Sequence, residues 1–134
     1  MIKTVAVGTD GSDTAAKAVE FAIDLAKRYE AKIVFLSAYH PVSDDRLKRE
    51  SRDAPEDVEP SLRDAVDTAR EKGLDATCEA KEGDAAKVLV DLASKHSADL
   101  LVIGNKGMSR KVLGSVPNTV SHKADCSVII VKTT

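Results

Sequence analysis

The chain has 134 residues, with 20 basic and 22 acidic side chains and a formal net charge of -2. This balance is atypical of a general nucleic-acid binder, and two tyrosines and two phenylalanines are too few for a platform that stacks single-stranded bases. No apolar run approaches the roughly 20 residues that span a bilayer, and no signal-peptide pattern opens the chain. We therefore expect one cytoplasmic domain over residues 1–134, with neither nucleic-acid nor membrane partners.

Apolar runs alternate with helical patterns along the chain. The predicted elements, in order, are a strand over 2–7, a helix over 13–29, a strand over 32–39, a helix that begins near Leu62 and ends before Gly73, a strand over 76–80, a helix opened by Gly83 and Asp84, a strand over 99–103, a helix over 115–123 and a strand over 127–132. Residues 40–60 hold three prolines among dense charges, which predicts a flexible loop. Solvated disorder is favoured there over a functional lid.

The strand segments are continuous apolar runs, which is typical of strands covered on both faces. Right-handed crossovers then give an α/β fold with a doubly wound five-stranded parallel sheet and helices on both faces. Ligands bind such sheets outside the carboxyl ends of the strands, where the winding reverses. With the strand order 3-2-1-4-5, the loops after strands 1 and 4 lie side by side at that point.

The loop after the fourth strand carries the strongest chemical signal. The segment 104–115 combines three glycines and two serines with the cations Lys106, Arg110 and Lys111. Glycine lets backbone N–H groups approach an anion, and the following helix directs its positive end toward the same place. The segment therefore predicts a phosphate cradle. It matches neither a Walker P-loop nor a Rossmann motif, and the three cations by themselves are typical of a solvated surface.

The chain resembles the universal stress protein family in three segments: the opening Val5–Ser12, the loop ends Gly104-Asn105-Lys106-Gly107 and Gly114-Ser115, and the closing Val128–Lys132. The ATP-binding branch of that family has nine residues between the second and third glycines of the loop, whereas this chain has six. The resemblance implies an adenine nucleotide, with ATP favoured, AMP or cyclic AMP as alternatives, and Mg²⁺ accompanying ATP. The expected role is storage or signalling in a stress response.

The same resemblance implies the residues that contact the nucleotide. Asp10 would accept hydrogen bonds from ribose or adenine, although it could instead cap the following helix. The loop glycines and the serine after them would serve the phosphate, unless they form only a tight turn. The full predicted set is Thr9, Asp10, Ala38, Ile103, Gly104, Gly107, Gly114, Ser115 and Val116.

Catalytic and metal sites are not predicted. No Ser-His-Asp arrangement or carboxylate pair stands out, so we do not expect an enzyme. Cys78 and Cys126 lie in apolar contexts without metal-ligand spacing, and we expect two buried thiols.

The last strand predicts self-association. It is almost wholly apolar and lies at the sheet edge in the assumed order, and the resemblance implies dimers that pair through it. We therefore predict a homodimer built on residues 126–132. Two alternatives remain open: a homodimeric interaction module of the same fold without nucleotide, and a weak ATP hydrolase.

Overall fold

The computed structural model describes residues 1–9, 13–39, 60–105 and 115–133 of the chain. Within these ranges strands and helices alternate, as the sequence predicts. The elements are β1 (Thr4–Gly8), α1 (Asp13–Tyr29), β2 (Lys32–Tyr39), α2 (Pro60–Glu71), β3 (Ala76–Glu82), α3 (Ala85–Lys95), β4 (Leu100–Gly104), α4 (Ser115–Lys123) and β5 (Ser127–Val131). In these ranges no helix is both long enough and apolar enough to cross a membrane.

The strands form one parallel sheet in the order β3-β2-β1-β4-β5, which confirms the predicted fold class. The central strand β1 pairs with β2 on one side and with β4 on the other. The chain therefore adds β2 and β3 on one side of β1, and then β4 and β5 on the other side. The winding reverses between β1 and β4, and the carboxyl ends of both strands lie at that reversal.

The core has two layers, one on each face of the sheet. Alternate residues of β1 separate them, because Val5 and Val7 face one layer and Ala6 faces the other. The first layer packs against α1 and α2, and the second packs against α3 and α4. All five residues of β1 are buried, as expected of a strand covered on both faces.

Several element boundaries differ from the predicted ones. β1 begins at Thr4 rather than residue 2, and the Lys3 and Thr4 N–H groups donate to the Asp99 carboxylate, 2.8 and 3.0 Å away. β3 continues to Glu82 because its pairing with β2 runs on to Tyr39. The alternation of exposed and buried residues at this edge strand hides the extension from a search for continuous apolar runs.

The predicted loop over 40–60 lies outside the described residues except for Pro60, which begins α2 instead. Proline suits the first turn of a helix because the N–H group that it lacks has no partner there. At the other end of α2, Gly73 has a φ of 88°. Glycine adopts this left-handed conformation readily, which explains why the helix ends where the sequence predicts.

Candidate functional site

The candidate site lies where β1 and β4 end. The two strands are hydrogen-bonded neighbours in parallel register, with Val7 paired with Val102. β1 ends at Gly8 and β4 at Gly104, so the two strands have their carboxyl ends side by side. The structure thus brings the beginnings of the two predicted binding loops together.

Thr9 is the first residue after β1. It is buried, with 4 % of its surface exposed, and its N–H group donates to the Leu36 carbonyl of β2 over 2.9 Å. This bond continues the β1–β2 ladder by one residue beyond Gly8. Ala38 lies two residues beyond Leu36 on the same strand and is half-buried against the second core layer. The main chain of Thr9 is therefore linked to β2 close to the predicted adenine-contacting residue Ala38.

Ile103 and Val116 belong to the same layer as Ala38. The Ile103 side chain is 1 % exposed, and Val116, in the first turn of α4, is 8 % exposed. Their side chains consequently act first as packing between the sheet and α4. The structure brings Ala38, Ile103 and Val116 to one side of the sheet, below the helix that follows the glycine-rich loop.

Part of the predicted set lies outside the described residues. Asp10, Gly107 and Gly114 belong to the undescribed ranges, as do the loop cations Lys106, Arg110 and Lys111. Ser115 is described as the first residue of α4. The predicted roles of these residues therefore stay predictions.

Sequence reasoning assigned no role to Lys17, Asn105 and Thr133, of which Thr133 contacts both of the others at the beginning of the glycine-rich loop. The Asn105 side chain accepts from Thr133, and Lys17 of α1 donates to the Thr133 carbonyl. No spacing rule could reveal these contacts, because the residues come from three separate parts of the chain. Thr133 is 2 % exposed, which is unusual for a polar residue.

A groove of about 570 Å³ lies elsewhere, between α1 and α2. Its floor includes Val19 and Ile23, and the charged side chains of Glu20, Lys27 and Asp64 line it. None of the described site residues lines this groove. Volume alone therefore does not locate the candidate site, and the strand ends remain the better candidate on topological grounds.

Three described groups have a displaced pKa, and none belongs to the predicted set. Backbone N–H donors from Lys3 and Thr4 lower the pKa of Asp99. Desolvation raises the pKa of Glu79, but hydrogen bonds and charge from Lys95 and His96 outweigh it and lower the pKa overall.

Desolvation also raises the pKa of the Cys126 thiol. Cys126 and Cys78 are half-buried, so the expectation of two buried thiols is wrong. Cys78 lies on the edge strand β3 and Cys126 just before the edge strand β5, where packing covers them incompletely. Within the described ranges, no cluster of three or more His, Cys, Asp or Glu side chains could hold a metal ion.

Comparison with known proteins agrees with this fold and extends over the whole chain. The family model of the universal stress protein family matches residues 1–132. Universal stress protein Rv1636 of Mycobacterium tuberculosis is 41 % identical over 145 residues, covering 98 % of this chain and 97 % of the relative.

Two solved structures place the same fold beside bound nucleotides. A universal stress protein in complex with cAMP is 37 % identical, with a TM-score of 0.77, and the match covers 99 % of this chain and 98 % of that one. The universal stress protein of Archaeoglobus fulgidus in complex with dAMP is 24 % identical, with a TM-score of 0.70, and covers 98 % and 100 % of the two chains. This second likeness shows the shared fold alone. From its family model, its relatives and its fold, the chain belongs to the universal stress protein family.

Proposed function

We propose that this universal stress protein binds an adenine nucleotide at the carboxyl ends of β1 and β4, for storage or signalling in a stress response. The observation that carries the proposal is the adjacency of β1 and β4 at the reversal of the winding. In open α/β sheets this is the place where ligands bind. Gly8-Thr9 and Gly104 leave the sheet there, and the sequence continues from them into the two predicted binding loops.

The proposed contacts divide between the two loops. Thr9, Asp10 and Ala38 contact the adenosine moiety, and the hydrogen bond from Thr9 to β2 supports that grouping. Gly104, Gly107, Gly114 and Ser115 offer N–H groups and a hydroxyl to phosphate, beside the amino end of α4. Val116 offers an apolar surface between the two, and Ile103 contributes main-chain groups because its side chain is buried.

The length of the loop supports a small number of phosphates. Six residues separate Gly107 from Gly114, fewer than in the ATP-binding pattern. The 37 % identical relative is a complex with cAMP, which has a single phosphate and needs a smaller phosphate-binding loop than ATP does. This supports a monophosphate or cyclic nucleotide as the ligand. ATP, with Mg²⁺ as its counter-ion, remains a candidate of the same site.

Calorimetry with cyclic AMP, AMP and ATP, the last with and without Mg²⁺, tests the proposal. Gly114→Val should weaken binding at least about tenfold, because a branched side chain would occupy the space of a hydrogen-bonded phosphate. Gly73→Asn is the matched control, because that position has a φ of 88° and open space around it, and asparagine tolerates this conformation. Wild-type protein that binds none of the nucleotides would refute the proposal and favour the nucleotide-free module.

Self-association through β5 is a second proposed function. β5 is the last strand of the sheet, and among the described residues it pairs with β4 alone. Its residue Ile130 is 45 % exposed, and members of the family are generally dimeric. We propose a homodimer built on residues 126–132, since an apolar strand edge favours pairing with a second strand.

Sedimentation equilibrium tests the dimer with two matched substitutions. Ile130→Glu should give a monomer, because it places a charge on the proposed interface. Phe21→Glu should leave the dimer intact, because Phe21 is similarly exposed, at 43 %, but lies on α1. A monomeric wild type at micromolar concentration, or equal effects of both substitutions, would count against this interface.

The weak ATP hydrolase is the least supported alternative. Proteins of this family are generally not enzymes, and none of the described groups with a displaced pKa belongs to the candidate site. We propose that the protein binds nucleotide without turnover. Phosphate release from ATP that exceeds the background and disappears in Asp10→Ala would overturn this view.

A further inference from the structure

Asn105 is bonded through both its main chain and its side chain to the chain segment of β5. Its N–H group donates to the Val131 carbonyl over 2.8 Å, which continues the pairing of β4 with β5 by one residue. Its Oδ1 accepts from the Thr133 N–H and from the Thr133 hydroxyl, at 2.8 and 2.9 Å. The first residue after β4 is therefore fixed by the residues that end and follow β5.

Thr133 also contacts α1 and the end of β4. The Lys17 ammonium donates to the Thr133 carbonyl over 3.1 Å. A Cβ at Gly104 would lie 3.1 Å from the Thr133 Cγ2, so the threonine packs tightly against this glycine. Because Thr133 is 2 % exposed, its polar groups depend on these partners rather than on water. Thr133 thus joins the helix after the β1 loop to the residue that opens the glycine-rich loop.

We infer that Lys17, Asn105 and Thr133, here called the C-terminal clamp, couple nucleotide binding at the glycine-rich loop to pairing of β5 with a second copy of this chain. The inference rests on the proposed function, because it concerns the regulation of that nucleotide site. Asn105 acts as a positioning residue: it sets the path by which the chain leaves Gly104, and it is held through Thr133. The clamp is the physical link between the two sites.

The direction of the coupling follows from the position of β5. An edge strand with one open side opens locally more easily than an internal strand, and opening of its end would break the clamp bonds together. A partner strand that pairs with β5 suppresses this opening, so Asn105 is already ordered when nucleotide arrives. Nucleotide binding then has less conformational entropy to lose, and affinity rises. Thermodynamic linkage requires the nucleotide to tighten the dimer by the same factor.

A double-mutant cycle in nucleotide affinity tests the clamp. The four proteins are wild type, Ile130→Glu, Asn105→Ala and the double variant, each titrated calorimetrically with cyclic AMP and with AMP. Ile130→Glu should weaken binding about fivefold in the wild-type background, the lower end of typical coupling between sites. In the Asn105→Ala background it should change affinity less than about twofold, because the link is already broken.

A second, gentler variant guards against misfolding of Asn105→Ala. Thr133→Val keeps the shape of the side chain and removes only the hydroxyl bond to Asn105, so it should reduce the coupling while thermal unfolding shows an intact fold. Thr68→Val is the matched control on the exposed surface of α2 and should leave the coupling unchanged. Sedimentation with saturating cyclic AMP gives the reciprocal readout, since the wild-type dimer should tighten about fivefold.

The outcomes separate this inference from the proposed function. Wild-type protein that binds no nucleotide would contradict both the proposed function and this inference. Wild type that binds nucleotide, with an equal Ile130→Glu effect in the wild-type and Asn105→Ala backgrounds, would overturn the clamp and leave the nucleotide site standing. An Ile130→Glu monomer that binds as tightly as the wild-type dimer would do the same. A purely structural role for Asn105 would lower stability without making the Ile130→Glu effect depend on it.

Discussion

The Glu79 carboxylate of β3 and the His96 ring at the end of α3 lie 2.7 Å apart, measured from Oε1 to Nε2. The second carboxylate oxygen, Oε2, accepts from the Lys95 ammonium, also over 2.7 Å. One edge-strand side chain is thereby joined to two consecutive residues at the end of a helix. The Glu79 side chain is 25 % exposed, so water screens this cluster only in part.

This cluster predicts a defined loss of stability in acid. The net effect of Lys95 and His96 holds the pKa of Glu79 below its ordinary value of 4.5. A carboxyl group whose pKa is lower in the folded state stabilises the fold above its ordinary pKa and loses this contribution as the pH falls through the folded value. Glu79→Gln should lower the free energy of unfolding at pH 7 by up to about 1 kcal/mol.

Urea unfolding from pH 7 to pH 3 measures that difference. The gap between wild type and Glu79→Gln should be present above about pH 4.5 and shrink below it as wild-type Glu79 takes up its proton. Glu71→Gln, on the exposed face of α2, controls for the removal of one negative charge. A gap that is as large at pH 3 as at pH 7 would show that the cluster does not act through this ionisation.

A side chain in place of Gly8 should cause a packing conflict at the end of β1. A Cβ there would lie 2.9 and 3.0 Å from the two methyl groups of Leu89 and 3.2 Å from the Ile103 Cγ2. Because both neighbours are buried, Gly8→Ala should cost about 1–3 kcal/mol of stability, measured by urea unfolding. Leu89→Val should relieve the crowding, so that Gly8→Ala costs less in that background. An equal cost in both backgrounds would place the strain elsewhere.

Replacing Glu30 with glycine should improve stability. Glu30 follows α1 with a φ of 54°, a left-handed conformation that costs a non-glycine residue about 1–2 kcal/mol. The Ala31 N–H donates to the Ala26 carbonyl over 2.8 Å, as in a helix end that favours glycine at this place. Glu30→Gly should therefore raise the free energy of unfolding by up to about 1 kcal/mol, after the entropy of glycine is subtracted.

A glycine inside the same helix provides the opposite control. Glu20→Gly, on the exposed face of α1, should lower stability by about 1 kcal/mol, because no left-handed conformation offsets its flexibility there. Thermal or urea unfolding of both variants compares the two positions directly. If Glu30→Gly destabilises as much as Glu20→Gly, the backbone at residue 30 is not the source of the strain.

The fold was predictable because its central strands are simple. Val5-Ala6-Val7 and Leu100–Ile103 are buried on both faces, and a continuous apolar run of that kind specifies a covered parallel strand. The edge strand β3 was predicted too short. It is covered less completely than the central strands, so exposed polar residues such as Lys81 interrupt its apolar pattern. Complete burial leaves a clearer pattern in the sequence than half-burial does.

The candidate site was predictable only in part. The resemblance implies Thr9, Ala38 and Gly104, and the structure places all three at or near the carboxyl ends of parallel strands. The role of the clamp residue Asn105 was not predictable, because its partner Thr133 is 28 positions away in the sequence and neither residue belongs to a periodic pattern. Such contacts depend on the register of β4 against β5, which the sequence does not state.

Ala38 offers the most direct test of the adenine side of the site. It is half-buried near the end of β2, and the Thr9 N–H group donates to Leu36, two residues before it. The proposed function places the adenine base against Ala38. Ala38→Leu should fill that space and weaken cyclic AMP binding about tenfold or more, because a change of even one methylene in a pocket alters affinity by about 1–3 kcal/mol. Ala65→Leu, at a half-buried alanine of α2 in the groove away from the site, is the matched control for an added side chain. Calorimetry on both variants, after thermal unfolding has shown each to be folded, decides the matter. If Ala38→Leu binds as tightly as Ala65→Leu, the base lies elsewhere and only the phosphate half of the site would stand.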